Sequence, residues 1–250
     1  MLKKERLKIL GCPVDNLTLN ETIGVIGEMI RQDVPHQHVV INADKLLKFR
    51  KDEKLKQIIS NCDIINGDGM AVVWASRILG SPLKERVAGI DLMARLVELA
   101  WQRGYKLYFL GAKEEIVRRV VSIYTNKYPG LQIVGFRNGY WNPKEESKVI
   151  NDIQQANPDI LFVAISSPKK EYFLGKYLTT IGVPFAMGVG GAFDVVAGLT
   201  KRAPMWMQRT GFEWLYRLIL EPSRLWRRYL IGNTIFIYLV LSELVRKGKK

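Results

Sequence analysis

Cysteine is scarce. Only Cys12 and Cys62 occur among 250 residues, which excludes a disulfide framework and fits a reducing compartment. Histidine is as scarce: His36 and His38 could share a strand face, but no third ligand stands at a recognisable spacing. A solvated strand end is the better reading, and no metal site is expected. No Gly-x-Gly-x-x-Gly opens a helix after the first strand and no Walker Lys-Ser/Thr is present, which argues against a dinucleotide dehydrogenase or P-loop enzyme. No Gly-x-Ser-x-Gly elbow occurs, so a serine hydrolase is not expected. The first ten residues carry charge but no apolar stretch of signal-peptide length, and a cytoplasmic location is expected. Low-complexity segments and internal repeats are absent. Ile231 to Leu241 is an apolar run of eleven residues, about 16 Å of helix. A hydrocarbon core needs roughly 20 apolar residues, so this run is not expected to cross a membrane. It is either core or interfacial, with Lys247, Lys249 and Lys250 on lipid headgroups.

What is present is a chain long and apolar enough, at 48% hydrophobic residues, to bury a full core. Strand-like runs (Leu7–Leu10, His38–Asn42, Cys62–Asn66, Tyr105–Leu110, Leu131–Gly135, Asp159–Ile165, Val183–Val189) alternate with helical spacings. That alternation specifies an α/β fold with a mostly parallel sheet and helices on both faces. Polar and glycine-rich residues recur just after strands: Asn42 and Asp44, Asn66 to Gly69, Gly111, Ser166-Ser167, and Gly188 to Gly191. All are expected to line one edge of the sheet, where α/β proteins bind ligands. Asp68, between Gly67 and Gly69 at a strand-to-helix turn, is the candidate catalytic carboxylate. Its competing reading is a helix N-cap, since Asp before a helix is a common cap.

The charge is uneven. Residues 201–250 hold eleven basic and three acidic residues, a net +8 out of the chain's +14, together with Trp206, Trp214 and Trp226. Such a mixture suits an anionic membrane surface or single-stranded nucleic acid. Glu213, Arg217 and Glu221 fall at i, i+4, i+8 and can form a self-paired ladder, which Pro222 should end. Arg224, Arg227 and Arg228 have no such cover, and phosphate oxygens suit their bidentate donors.

Several motifs in one order then resemble a known family. They are Asn66-Gly67-Asp68-Gly69, Glu85-Arg86-Val87-Ala88-Gly89, Phe109-Leu110-Gly111-Ala112, Gly139-Tyr140, and Val189-Gly190-Gly191-Ala192-Phe193-Asp194. Lys201-Arg202-Ala203-Pro204, Glu213-Trp214-Leu215-Tyr216-Arg217 and Trp226-Arg227-Arg228-Tyr229 complete the set. The chain resembles the WecG/TagA/CpsF glycosyltransferases of bacterial surface-polymer synthesis over nearly its whole length. The resemblance implies a Rossmann-like sheet and an inverting, metal-independent transfer from a UDP-sugar to a lipid-linked acceptor, with no cofactor. In the TagA branch the donor is UDP-N-acetylmannosamine and the acceptor is N-acetylglucosamine on undecaprenyl diphosphate. The aspartate matching Asp68 would be the general base on the acceptor 4-hydroxyl, its charged form favoured by a helix N-terminus. The resemblance assigns substrate binding to Asn42, Arg86, Lys170, Glu171, Gly190, Gly191 and Asp194, and the acceptor diphosphate to Arg217, Arg224 and Arg227. The chain departs from the family pattern at Lys170, where glutamine is usual, and at Val40, where threonine is usual.

These readings give an α/β catalytic domain over residues 1–198 and a basic helical appendage over 199–250. The appendage is expected to hold the protein peripherally on the inner face of the cell membrane. A homo-oligomer is left open. Two alternatives stand beside this: a paralogue that uses another UDP-sugar or binds without catalysing, and a nucleic-acid-binding protein. Against the last counts the shortage of basic residues around the expected pocket.

Overall fold

The strands with the most continuous apolar runs form the centre of a six-stranded sheet. β5 (Leu107–Gly111), β7 (Ile160–Ala164) and β8 (Phe185–Gly188) are buried along their whole length, as strands covered on both faces must be. The computed structural model describes residues 5–248, apart from the side chains of Arg224 and Arg228. With β3 (His36–Ile41), β4 (Ile64–Gly67) and β6 (Ile133–Arg137), the sheet runs β4-β3-β8-β7-β5-β6. Every pairing is parallel.

The first strand of the sequence lies outside this sheet. β1 (Arg6–Ile9) and β2 (Cys12–Asp15) form an antiparallel hairpin beside β4. The buried Asp15 carboxylate accepts the Ile65 N–H at 2.8 Å and pairs with Arg6 at 2.7 Å. Arg6 also donates to the carbonyls of Cys62 and Asp63. The hairpin thus covers an edge that would otherwise offer free backbone groups.

Helices cover both faces. On one lie α1 (Leu19–Arg31), α5 (Gly89–Arg103), α6 (Glu114–Lys127) and α9 (Ala192–Val196), packed on Phe109, Phe162, Phe185 and Met187. On the other, α2 (Ala43–Lys51), α3 (Glu53–Ser60) and α4 (Met70–Ile78) pack on Val39, Ile41 and Ile65. The same side carries α7 (Glu146–Ala156) and α8 (Lys169–Ile181), packed on Leu161 and Val163. α2, which follows β3, and α9, which follows its neighbour β8, therefore go to opposite faces. The strand order reverses there, and a crevice opens at the carboxyl ends of the two strands.

From Met205 to Gly248 the chain is mostly helical. α10 (Met205–Thr210), α11 (Glu213–Leu220) and α12 (Pro222–Trp226) lead through a π turn at Arg227–Ile231 into α13 (Gly232–Gly248). Pro222 ends α11 as expected and occupies the first turn of α12. Helical backbone angles at Arg227 and Gly232 carry the helix through the π turn without a break. This overturns the length argument made on residues 231–241 alone. Tyr229–Lys247 is a 19-residue stretch long and apolar enough to cross a membrane by length and composition, because the helix runs through residues too polar to count in an apolar run. It does not stand free of the protein: Phe236 and Val240 are buried against the α2 and α4 side of the core, and the Lys247 ammonium donates to the Leu79 carbonyl at 2.9 Å.

Candidate active site

β4 runs out of the core into Asp68, whose N–H donates to the Ile41 carbonyl of β3 at 2.7 Å. Gly69 turns the chain with φ +98° and is itself the N-cap of α4, with no side-chain cap bond. Only glycine adopts that angle without strain. Asp68 is therefore not the cap, and its half-buried carboxylate faces a cavity. Burial raises its pKa above the ordinary carboxylate value. The Arg86 and Arg217 guanidiniums and the Gly89 N–H pull the other way, while the Glu213 carboxylate adds to the rise. A helix N-terminus does favour the charged form, but it is not that of α4, and the net shift is upward. The amide that serves it belongs to the start of α5, and loss of water outweighs that bond.

The cavity has a volume of about 510 Å³ and lies between the sheet edge, α4 and the helical tail. Arg86 joins the two parts: it pairs with Glu213 of α11 at 3.2 Å and donates to the Gln208 carbonyl at 3.3 Å. Glu213 also accepts from Arg217 at 2.8 Å. The ladder inferred for Glu213 and Arg217 therefore exists, but it lies on the cavity wall and not on a solvated face. Arg202 adds a second tie, bidentate to Asp91 of α5 at 2.5 and 2.7 Å. Arg217 and Tyr229 also line a second chamber of about 180 Å³, with Gly191, Asp194, Thr200 and Glu221. The two chambers share a wall, so groups bound in each can meet at Arg217.

The other expected residues are distributed as follows. Asn42 and Asp44 line the main cavity, but Asn42 is the N-cap of α2 and its Oδ1 accepts the Lys45 N–H at 2.9 Å. Its amide NH₂ is the group left for a ligand. Gly191 and Asp194 line the second chamber. Lys170 and Glu171 line neither. They are buried with Lys45, whose ammonium lies 2.7 Å from Glu171 Oε1, while Lys170 Nζ lies 3.4 Å from the same oxygen. Burial and the neighbouring Lys45 charge push the Lys170 pKa down to about 8. Burial works against the Glu171 charge, but the two ammoniums win and hold its pKa to about 2. The Lys170 stem crosses Gly188, where a Cβ would come within 2.7 Å of it, and its Nζ ends beneath Gly190. Arg227 is exposed over the Trp226 ring, 5.2 Å from its centroid, and lines neither chamber. The Arg224 side chain lies outside the described residues.

Not every strand-end loop joins the site. Gly111 and Ser166-Ser167 line neither chamber. A Cβ at Gly111 would come within 2.5 Å of the Ala164 backbone, so this glycine serves strand packing. Asn66 is buried, its amide NH₂ donating to the Thr22 hydroxyl and its Oδ1 lying 2.9 Å from His38 Nε2. His38 is therefore not at a solvated strand end: it is buried, and desolvation pushes its pKa down to about 4. No group of three His, Cys, Asp or Glu side chains suited to a metal is found among the described residues.

Trp74, Trp214, Tyr229 and Glu213 also line the main cavity and are not among the expected site residues. The signals for them in the sequence are the family motifs that contain Glu213, Trp214 and Tyr229 and the richness of tryptophan and paired charge in the tail, neither of which says what the tail covers.

Comparison with known proteins identifies relatives of this chain. The glycosyl transferase WecG/TagA/CpsF family pattern matches residues 7–250. A Bacillus subtilis strain 168 protein is 38% identical over 210 residues, covering 84% of this chain and 80% of its own. A Bacillus spizizenii protein is 35% identical over 192 residues, covering 77% and 74% respectively. Both relatives bear the name N-acetylglucosaminyldiphosphoundecaprenol N-acetyl-beta-D-mannosaminyltransferase.

Proposed function

Because the chain belongs to the WecG/TagA/CpsF family of glycosyl transferases, we propose that it moves N-acetylmannosamine from UDP-N-acetylmannosamine to the 4-hydroxyl of N-acetylglucosamine on undecaprenyl diphosphate. The supporting observation is that one carboxylate of raised pKa, Asp68, shares a cavity with the guanidiniums of Arg86 and Arg217. Asp68 takes the proton of the acceptor hydroxyl as its oxygen attacks the anomeric carbon, and the configuration there inverts. A raised pKa makes the carboxylate a stronger base toward a hydroxyl. The guanidiniums supply positive charge to the departing UDP, without a metal or other cofactor. Arg217 borders both chambers, so the same cation can touch donor and acceptor phosphates. Asn42, Gly190, Gly191 and Asp194 serve the donor, Arg224 and Arg227 the acceptor diphosphate. Lys170 and Glu171 support the glycine turn from below.

The tail of residues 199–250 is the membrane-binding part of this reading, holding the protein on the inner face of the cell membrane. Its support is the cluster of large apolar side chains left in solvent there, among them Met205, Trp206, Phe212 and Ile219. The test is UDP release with lipid-linked N-acetylglucosamine against a panel of UDP-sugars. Release with UDP-N-acetylmannosamine alone is the expected result. Release with another UDP-sugar would change the donor, and none at all would leave a binding protein.

A further inference from the structure

The main cavity extends well beyond the groups the reaction needs. From Met70, two residues past Asp68, its wall continues along α4 through Trp74 to Ile78. Eight residues of helix cover about 12 Å. The opposite wall is a stripe on the tail helix in positions that share one helix face, where the polar Asn233 and Thr234 sit between the large apolar Leu230, Ile237 and Leu241. The large apolar side chains of both walls are half in solvent: Trp74 is 42% exposed, Ile78 49%, Ile237 56% and Leu241 52%. Among the described residues, the charged ones that line the cavity (Asp44, Asp68, Arg86, Glu213 and Arg217) come from outside these two stripes. Two facing, predominantly apolar walls in contact with water invite an apolar occupant.

We propose that this groove between α4 and α13 seats the first isoprene units of the acceptor's polyprenyl chain. The inference rests on the reaction proposed above, which fixes the direction. With the sugar hydroxyl at Asp68 and the diphosphate at the guanidiniums, the chain attached to that diphosphate leaves along the groove. Charge complementarity holds at one end and apolar contact at the other, on a single continuous cavity.

The experiment compares two acceptors with the full chain in detergent, so that adsorption to a bilayer plays no part. Both carry N-acetylglucosamine diphosphate, one on undecaprenol and one on a short alkyl chain. Wild type is expected to show kcat/KM at least about tenfold higher for the undecaprenyl acceptor, the factor that burying about two methylene groups supplies. Ile78→Glu and Ile237→Glu place a charge on opposite walls and should each reduce that ratio at least about fivefold. Tyr238→Glu, on a residue 67% exposed and outside the groove, should keep the wild-type ratio. Both groove residues are half-exposed, so neither change buries a charge in the core; if one variant fails to fold, the other decides. Equal kcat/KM for the two acceptors in wild type, or an unchanged ratio in the groove variants, overturns the seat. A loss as large in Tyr238→Glu also overturns it, in favour of non-specific adsorption of the helix. Transfer to neither acceptor by wild type overturns the reaction itself, and the seat with it.

Discussion

Replacing Asp68 separates a general base from a helix cap by sign as well as size. A positioned general base contributes about 10²–10⁴ in rate, or about 3–5 kcal/mol of activation free energy. Loss of a side-chain cap costs about 0.5–2 kcal/mol of stability. In a chain of this length each kcal/mol moves Tm by about 2–4 °C, so a capping role predicts a fall of about 1–8 °C. Gly69 caps α4 without a side-chain bond, so no such fall is expected. The raised pKa points the other way. A carboxyl with a higher pKa in the folded state binds more protons there than in the unfolded chain. Stability therefore declines as pH rises from the ordinary carboxylate value to the folded one, and the deficit persists above it. Asp68→Asn removes that deficit and keeps an oxygen that can accept the Gly89 N–H. At pH 7 its Tm should equal or exceed wild type, while UDP release with lipid-linked acceptor falls at least about 100-fold. The wild-type pH profile of kcat/KM should lose its acid limb above the usual carboxylate range. A variant that melts several degrees lower yet turns over near the wild-type rate would refute this account of Asp68.

Glu213→Gln should move that acid limb to lower pH, since the Glu213 charge helps raise the Asp68 pKa. An unmoved limb in a folded variant would show that Glu213 acts only as a tether. Glu171→Gln leaves the buried ammoniums of Lys45 and Lys170 without their shared carboxylate. Removing one member of a buried ion pair costs about 3–5 kcal/mol, so thermal melting should show a Tm about 6–20 °C lower. The same group sets an acid limit. Its folded pKa of about 2 lies below the ordinary 4.5, so its stabilisation is complete above that value and is lost as pH falls toward 2. Lys170→Gln should act in the opposite sense at pH 7, because burial disfavours the ammonium. Wild type should gain stability between pH 8 and 10.5 as Lys170 deprotonates, and the variant should lack that rise.

The sheet was legible because its signals are local. Continuous apolar runs such as Ile160–Ala164 and amphipathic spacing such as Ile26 and Ile30 follow from backbone periodicity and from what each face must bury. The turn at Gly67-Asp68-Gly69 was legible for the same reason, although the segment alone does not separate a helix cap from a catalytic carboxylate. The strand order, the assignment of β1 and β2 to a separate hairpin, and the divergence of α2 and α9 at the crevice depend on contacts between distant residues, on which local pattern is silent.

What the sequence by itself determined is the α/β class, the position of the candidate carboxylate and a basic, tryptophan-rich tail. Only the tertiary structure decided how those parts act on one another. Whether Asp68 caps a helix or faces a cavity depends on which group solvates it, and whether Glu213 and Arg217 form a surface ladder or a cavity wall depends on what covers them. The resemblance implies substrate binding for Lys170 and Glu171, yet folding removes them from water and sets them against Lys45. The electrostatic character of a side chain comes from its dielectric surroundings and its neighbours in space, and the chain acquires both only when α4, the sheet edge and the tail helices close on one another.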